Sequence, residues 1–231
     1  MKRRNFLSSS LGIATGLTTL GFSPARAFGL NKLTGGGSND GASWKDIAEI
    51  FTGGLKTIAT AAARAANSVS NISKAIGLKE TEALTAKDIK ALEKGEINGD
   101  VLADASTSSK STADQLKKMS MEKVELDAEQ KKKIAVASAD YFKAFVGASK
   151  GILQLKEAKD KASGAGTPGI TDGMAAAQAA KDIPVLTPKA IEFFKNSIEL
   201  VQALRKFNKT NDIAVAEPPE MKDALKPGAF D

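Results

Sequence analysis

Apolar and small residues recur at alternating steps of four and three along much of this chain. The longest such run contains Trp44, Ala48, Phe51, Leu55, Ile58, Ala62, Ala65, Val69, Ile72 and Ile76. Because an α-helix has 3.6 residues per turn, this spacing places every member on one side of a single helix. Ser43, followed by Asp46, suits the start of that helix, and Gly77 suits its end. The pattern therefore predicts one helix of about 33 residues that begins after Ser43.

Two further long helices are predicted by the same spacing. The first begins at Asp127, which forms a capping-box pattern with Gln130, and is expected to end at Gly164. Additional apolar residues lie beside its seam and widen it, so we expect this to be the central helix with more than one neighbour. The second begins at Thr187, with Pro188 in the first helical position, and extends to about residue 208.

Shorter helices are expected between the long ones. One has Thr85 as its cap and Gly95 at its end, another covers residues 100–119, and a small alanine-rich helix covers residues 172–181 and ends before Pro184. The middle of the second, residues 106–112, consists of Ser and Thr around one Lys. Since Ser and Thr side chains compete for backbone hydrogen bonds, we expect this stretch to be solvated or frayed.

These elements together predict an all-α fold. Amphipathic helices cannot bury their apolar sides alone, so we expect three to four long helices to pack as an antiparallel bundle over residues 43–209, with the short helices as connections. A parallel coiled-coil dimer has the same spacing and is the alternative. Residues 210–231 contain Pro218, Pro219 and Pro227 and few apolar residues, so we predict an irregular tail outside the core, suited to binding a partner.

The first 27 residues have a different composition from the rest. Positive charge at Lys2, Arg3 and Arg4 precedes a weakly apolar run over residues 7–22. A small-x-small pattern then follows at Ala25 and Ala27. These three features in this order are typical of a signal peptide that is cleaved after the second small residue.

Within this segment, Arg3 and Arg4, followed by Phe6 and Leu7, resemble the core of the twin-arginine export signal. The resemblance implies recognition by the twin-arginine export machinery, which transports folded proteins, and a periplasmic location after cleavage behind Ala27. A general secretory signal is the alternative. Residues 28–42, which include three consecutive glycines, are expected to form a flexible Gly/Ser linker to the bundle.

Composition narrows the chemistry that the chain can perform. It has no cysteine and no histidine, which excludes disulfides, the commonest zinc, haem and copper ligands, and the commonest general base near neutral pH. A Gly-x-Gly-x-x-Gly match at residues 164–169 follows a predicted helix rather than a strand, so we interpret it as an interhelical loop. We therefore expect no catalytic residues, no bound metal, no cofactor and no enzymatic activity.

Charge and hydropathy bear on two further classes of partner. The net charge is +6, but residues 1–27 carry four of the 33 basic residues and no acidic one, so the rest is nearly balanced by the 27 acidic residues. Without a basic excess we expect no binding to nucleic acid or to anionic membranes. No stretch after residue 27 has the ~18 uncharged apolar residues of a transmembrane helix.

Two sets of aromatic residues are candidates for a functional role. Tyr141, Phe142, Phe145 and Phe194 lie on two predicted helices, where they form either a packed core or the lining of an apolar ligand cavity. Trp44, beside the linker, either anchors one end of the bundle or contacts a partner. We expect an exported, non-enzymatic interaction, scaffold or accessory protein that binds another protein and is free to form homo-oligomers; a carrier of an apolar ligand or lipid is the alternative.

Overall fold

The computed structural model describes residues 43–78 and 86–226, which fold as an all-α bundle without strands. The fold class predicted from the sequence is therefore confirmed. The helices in chain order are α1 (Trp44–Ile76), α2 (Ala86–Glu93), α3 (Gly99–Met119), α4 (Ala128–Gly164), α5 (Gly173–Thr210) and α6 (Met221–Ala224). A single 3₁₀ turn, Ile170–Asp172, precedes α5. The signal, the linker and Thr85 lie outside the described residues.

Local capping signals place the ends of α1 and α4 where the sequence predicts them. The Ser43 hydroxyl accepts a hydrogen bond from the backbone amide of Asp46 at 3.3 Å, and Gly77 ends α1 with a φ of 66°. At the start of α4, the Gln130 amide donates to the Asp127 carboxylate at 2.7 Å, and the Gln130 side chain accepts from the Asp127 amide at 2.9 Å. These bonds satisfy amides that lack helical partners.

Helices α1 and α4 are antiparallel and pack through their backbones. A methyl group built on Gly151 would lie 2.6 Å from Ile58 Cγ1 and 2.9 Å from the Gly54 carbonyl oxygen, and Gly147 lies beside Ala61. Further along, the Gln130 side chain donates to the Ala75 carbonyl oxygen at 3.0 Å. Small residues permit this close approach of two helices because no side chain separates their backbones.

The other long helices complete the bundle, with α5 packed on α4 and α3 packed mainly on α5. Helix α5 is antiparallel to α4. Asn208, near the end of α5, donates to Ser138, near the start of α4, whereas Phe194, earlier in α5, stacks on Phe145, later in α4.

Helix α3 runs parallel to α5. Asp100 of α3 lies near Lys189 of α5, and Ser106, further along α3, bonds to Asn196, further along α5. The α1–α4 and α4–α5 pairs are thus antiparallel, as predicted, and α3 and α5 are parallel to each other because each runs opposite to α4.

Helix α5 corrects the prediction of two helices separated before Pro184. It is continuous from Gly173 to Thr210, so Thr187 is a buried interior residue rather than an N-cap. Both Pro184 and Pro188 point to solvent, whereas a buried side with Ile183, Leu186 and Ala190 continues past them. Each interior proline costs a helix ~3 kcal/mol. Packing of the buried side offsets that cost, which a local sequence pattern does not reveal.

One side of the middle of α3 is buried and the stretch is fully helical, which contradicts the predicted solvated or frayed stretch at residues 106–112. Ser109 is 2% exposed and Thr112 is 1% exposed, and Ser106 and Ser108 are also buried. The stretch stays helical because α3 lies along α5, and contact with α5 removes the competing water.

Residues 211–226 pack on the bundle, so the prediction of an unpacked tail is wrong for this part. Asn211, Ile213 and Met221 are buried, and α6 lies against α4. The segment is held by a bidentate ion pair in which Arg205 donates to Glu217 at 2.7 and 2.5 Å. Apart from α6 it is irregular, as predicted, and residues 227–231 lie outside the described residues.

No helix in the described part of the chain is both long enough and apolar enough to cross a membrane.

The α1–α4 contact yields a prediction from three glycines. Gly151→Ala and Gly54→Ala should each lower the free energy of unfolding by ~1–3 kcal/mol, because the added methyl group overlaps the facing helix. Gly53→Ala is the matched control: no atom lies within 4 Å of its built methyl group, so we expect a gain of ~0.5–1 kcal/mol. Urea denaturation measures all three, and equal effects at Gly53 and Gly151 would contradict the close contact.

Candidate functional site

The four candidate aromatic residues lie together in the core. Tyr141, Phe142, Phe145 and Phe194 are all almost completely buried. The rings of Phe145 and Phe194 stack with their centroids 4.8 Å apart and their planes 10° apart, which joins α4 to α5. Because these rings fill the space between the helices, we interpret them as packing residues.

Trp44 anchors one end of the bundle. Its side chain is 7% exposed, and its indole Nε1 donates a hydrogen bond to the Gly166 carbonyl oxygen at 3.1 Å. This bond holds the first turn of α1 against the loop between α4 and α5. The ring is therefore placed as an anchor, and its surface is covered rather than open to a partner.

An exposed apolar surface on the first half of α5 was not predicted from the sequence. We call it the α5 outer face. Met174 is 91% exposed, Val185 is 55% exposed, and Ile170 in the preceding turn is fully exposed. The complete surface consists of Ile170, Met174, Ala177, Pro184, Val185 and Pro188, all of them exposed.

The members that lie within α5 share one side of the helix. Successive residues are rotated by about 100°, so Met174, Ala177, Pro184, Val185 and Pro188 fall within an arc of about 120°. The buried residues Ala176, Ala179, Ile183 and Leu186 occupy the opposite side. Amphipathic helices normally place polar residues toward solvent. In this half of α5, the same arc contains only Gln178 and Lys181 as polar residues.

Charge is sparse around the first part of the α5 outer face. Between Lys161 and Lys181 the sequence contains one charged residue, Asp172. Apolar surface with few charges can be covered by a partner at little desolvation cost, which is a common property of binding surfaces. The sequence does contain this alanine-rich, charge-poor stretch. The surface was nevertheless missed, because its residues were assigned to two separate helices and so did not share one side.

A layer of polar side chains, all buried except the half-buried Asn196, lies between α3, α4 and α5. The Asn196 side chain donates to the Ser106 hydroxyl at 2.7 Å, and the Asn208 side chain donates to the Ser138 hydroxyl at 3.1 Å. The Tyr141 hydroxyl lies between the Ser109 and Ser197 side chains. We call these seven residues the hydroxyl layer, together with Thr112, one turn after Ser109.

Several polar atoms of the hydroxyl layer lack hydrogen bonds. Thr112 Oγ1, the Tyr141 hydroxyl oxygen and Asn208 Oδ1 are buried and have no partner of suitable geometry among the described residues. Burial raises the pKa of Tyr141 to about 12, and the nearby hydroxyls of Ser197 and Ser109 oppose that rise in part. Unpaired buried polar atoms lower stability, because each has lost its hydrogen bonds to water.

Two surface grooves carry mixed charges. One, of about 620 Å³, lies between α1 and α4 and is lined by residues that include Asn71, Lys132, Val136 and Asp140. The other, of about 750 Å³, surrounds the start of α4. Within residues 43–78 and 86–226, no group of three or more Asp, Glu, His or Cys side chains is placed to hold a metal ion.

The residues proposed for export and cleavage, namely Arg3, Arg4, Phe6, Leu7, Ala25 and Ala27, lie outside the described residues.

Tyr141 is the only tyrosine of the chain, so its ionisation can be followed without interference. In the folded protein, tyrosinate absorbance should appear with a pKa of about 12, against ~10 after denaturation. Because the folded chain holds this proton more tightly, Tyr141 leaves stability unchanged below pH ~10 and lowers it as the pH rises toward 12. Tyr141→Phe should remove that pH dependence, and a folded-state pKa near 10 would contradict the burial.

Comparison with known proteins finds no matching family model, no matching curated protein and no matching solved structure. The α5 outer face and the hydroxyl layer are therefore the features from which function and conformational behaviour are inferred.

Proposed function

We propose that this chain is an exported, non-enzymatic helical-bundle protein that acts as an interaction or accessory module in the periplasm. It binds another protein through the α5 outer face. The observation that supports this proposal is the exposure of Ile170, Met174 and Val185 on one charge-poor surface. Export is supported by the arginine pair, the apolar run and the small-x-small pattern of residues 1–27.

The chemistry of the α5 outer face indicates the kind of partner. Burying an exposed side chain of the size of Ile, Met or Val stabilises a complex by ~1.5–3 kcal/mol, and few charges need to be desolvated. Pro184 and Pro188 have no amide hydrogen, so the carbonyl oxygens of Ala180 and Pro184 lack their usual helical donor. A partner that offers apolar side chains with a few hydrogen-bond donors fits this surface.

The carrier alternative requires the core to open. Phe145 and Phe194 are stacked and buried, so an apolar ligand would have to separate them before it could bind between α4 and α5. The α5 outer face is available without any rearrangement. A partner bound there before transport would also explain why a chain without an evident cofactor uses a route for folded proteins.

Site-specific photo-crosslinking tests the proposed surface. In cells that produce the full chain, a photoreactive amino acid at position 170 or 174 should give one discrete adduct with a partner. Met121, which is 79% exposed and lies in the loop between α3 and α4, is the matched control position and should give none. An Ile170→Ser and Met174→Ser double variant should weaken binding of that partner at least about tenfold, because two apolar contacts are lost.

The control variant Met121→Ser should leave binding unchanged. Both sets of variants should keep the helical circular dichroism spectrum, since the altered side chains lie on the surface. An adduct with twice the mass of the chain would identify a second copy as the partner. Equal crosslinking from position 121, or none from positions 170 and 174, would contradict the proposal.

The export part of the proposal is tested separately. Replacing Arg3 and Arg4 with lysine keeps the positive charge but removes the arginine pair, so the protein should remain in the cytoplasm at full length. In the unaltered protein, the periplasmic form should begin at Phe28. Lys2→Gln, which preserves the arginine pair, is the control and should still be exported. Cell fractionation with N-terminal mass spectrometry measures each form, and efficient export of the double-lysine form would refute a twin-arginine route.

A further inference from the structure

The two principal interfaces of the bundle differ in chemistry. At its closest approach the α1–α4 interface consists of glycine and alanine, with Gly54 against Gly151 and Ala61 beside Gly147. The centre of the α3–α5 interface is instead the hydroxyl layer. Close apolar packing resists local opening, whereas buried polar groups remain able to form hydrogen bonds with entering water.

Two of the four buried side-chain atoms that lack a hydrogen-bond partner among the described residues lie where α3 packs. They are Thr112 Oγ1, on α3 itself, and the Tyr141 hydroxyl oxygen of α4, beside Ser109 of α3. When α3 leaves, water can hydrogen-bond to these atoms, so opening recovers part of the free energy that their burial costs. Each such group favours the open form by roughly ten- to hundredfold relative to an apolar residue at the same position.

The remaining contacts between α3 and α5 at the surface are weak. Lys117 donates to the Glu199 carboxylate at 2.8 Å, and both side chains are 44% exposed. Near the start of α3, Asp100 lies 3.9 Å from the Lys189 amine and is almost fully exposed. Solvent screens ion pairs of this kind, so they contribute little to holding the helix in place.

We propose that α3 detaches from the bundle as one unit while α1, α4 and α5 remain packed. The hydroxyl layer is the device that permits this motion. Apolar residues at both ends of the helix, Leu102 and Leu116, favour the closed state, and the polar centre limits its stability. The open state exposes Tyr141 and the adjoining surface of α4 and α5. This inference does not depend on the α5 outer face or on export.

Hydrogen exchange on the unaltered mature chain provides the first test. Amides in the central turns of α3 should exchange as one group, about 100-fold faster than amides in the centre of α4, as expected for a separate cooperative unit. Exchange rates within about threefold of one another in α3 and α4 would overturn the proposal, because both helices would then open only with the whole bundle.

Cysteine labelling provides a second and independent test, since the natural chain contains no cysteine. Under native conditions, the thiol of Ser109→Cys in α3 should react about 100-fold faster than that of Ala61→Cys in the α1–α4 interface. Adding Thr112→Val to the Ser109→Cys form should slow labelling about tenfold, because one unpaired buried hydroxyl is replaced by a methyl group.

Urea distinguishes local from global opening in the same experiment. Labelling of Ser109→Cys should depend less steeply on urea than global unfolding does, because detaching one helix exposes only part of the surface that the whole bundle buries. Labelling of Ala61→Cys should show the full dependence of global unfolding. Equal rates with equal urea dependence, in variants that retain the native circular dichroism spectrum, would refute detachment of α3.

Discussion

The backbone contact between α1 and α4 is the constraint on which the rest of the structure depends. Gly54 and Gly151 allow the two helices to approach until the Gly54 carbonyl oxygen lies where a side chain on Gly151 would begin. The bond from Gln130 to the Ala75 carbonyl oxygen fixes the same pair at its other end. Because one side of α4 lies against α1, its bulky residues are on the other side, where Phe145 stacks on Phe194 of α5. Helix α4 thereby has more than one long neighbour, as its widened seam predicted.

The two sides of α4 impose different demands on their partners. The side of α4 that faces α1 has no space for larger residues, because even a methyl group added to Gly151 would overlap α1. The opposite side carries the aromatic residues and the Ser138 and Tyr141 hydroxyls, which small polar side chains of α3 and α5 accompany. Burying polar groups stabilises a bundle less than burying apolar ones. Stability is consequently uneven across the molecule, being greater along α1–α4 than along α3.

Features determined by neighbouring residues could be predicted from the sequence, and features determined by distant residues could not. Ser43, Gly77 and the Asp127–Gln130 capping box act within one turn of a helix, so their residue types are sufficient evidence. The polar stretch at residues 106–112 reads as solvated because nothing nearby shows that α5 covers it. Pro184 similarly reads as a helix end, since the packing that carries α5 past it comes from other helices. The α5 outer face was missed for that reason, because its members share a side only in a continuous helix.

Continuity of α5 also bears on why its outer face is apolar. A helix with two interior prolines is maintained by its buried side, where Ile183 and Leu186 pack into the core. Ile170 and Met174 add nothing to that packing, because both project into solvent. Polar residues at these positions would leave the bundle equally stable and would improve its solubility. The apolar character of this surface therefore has no cause within the packing of the bundle, which is the reason for proposing that another protein covers it.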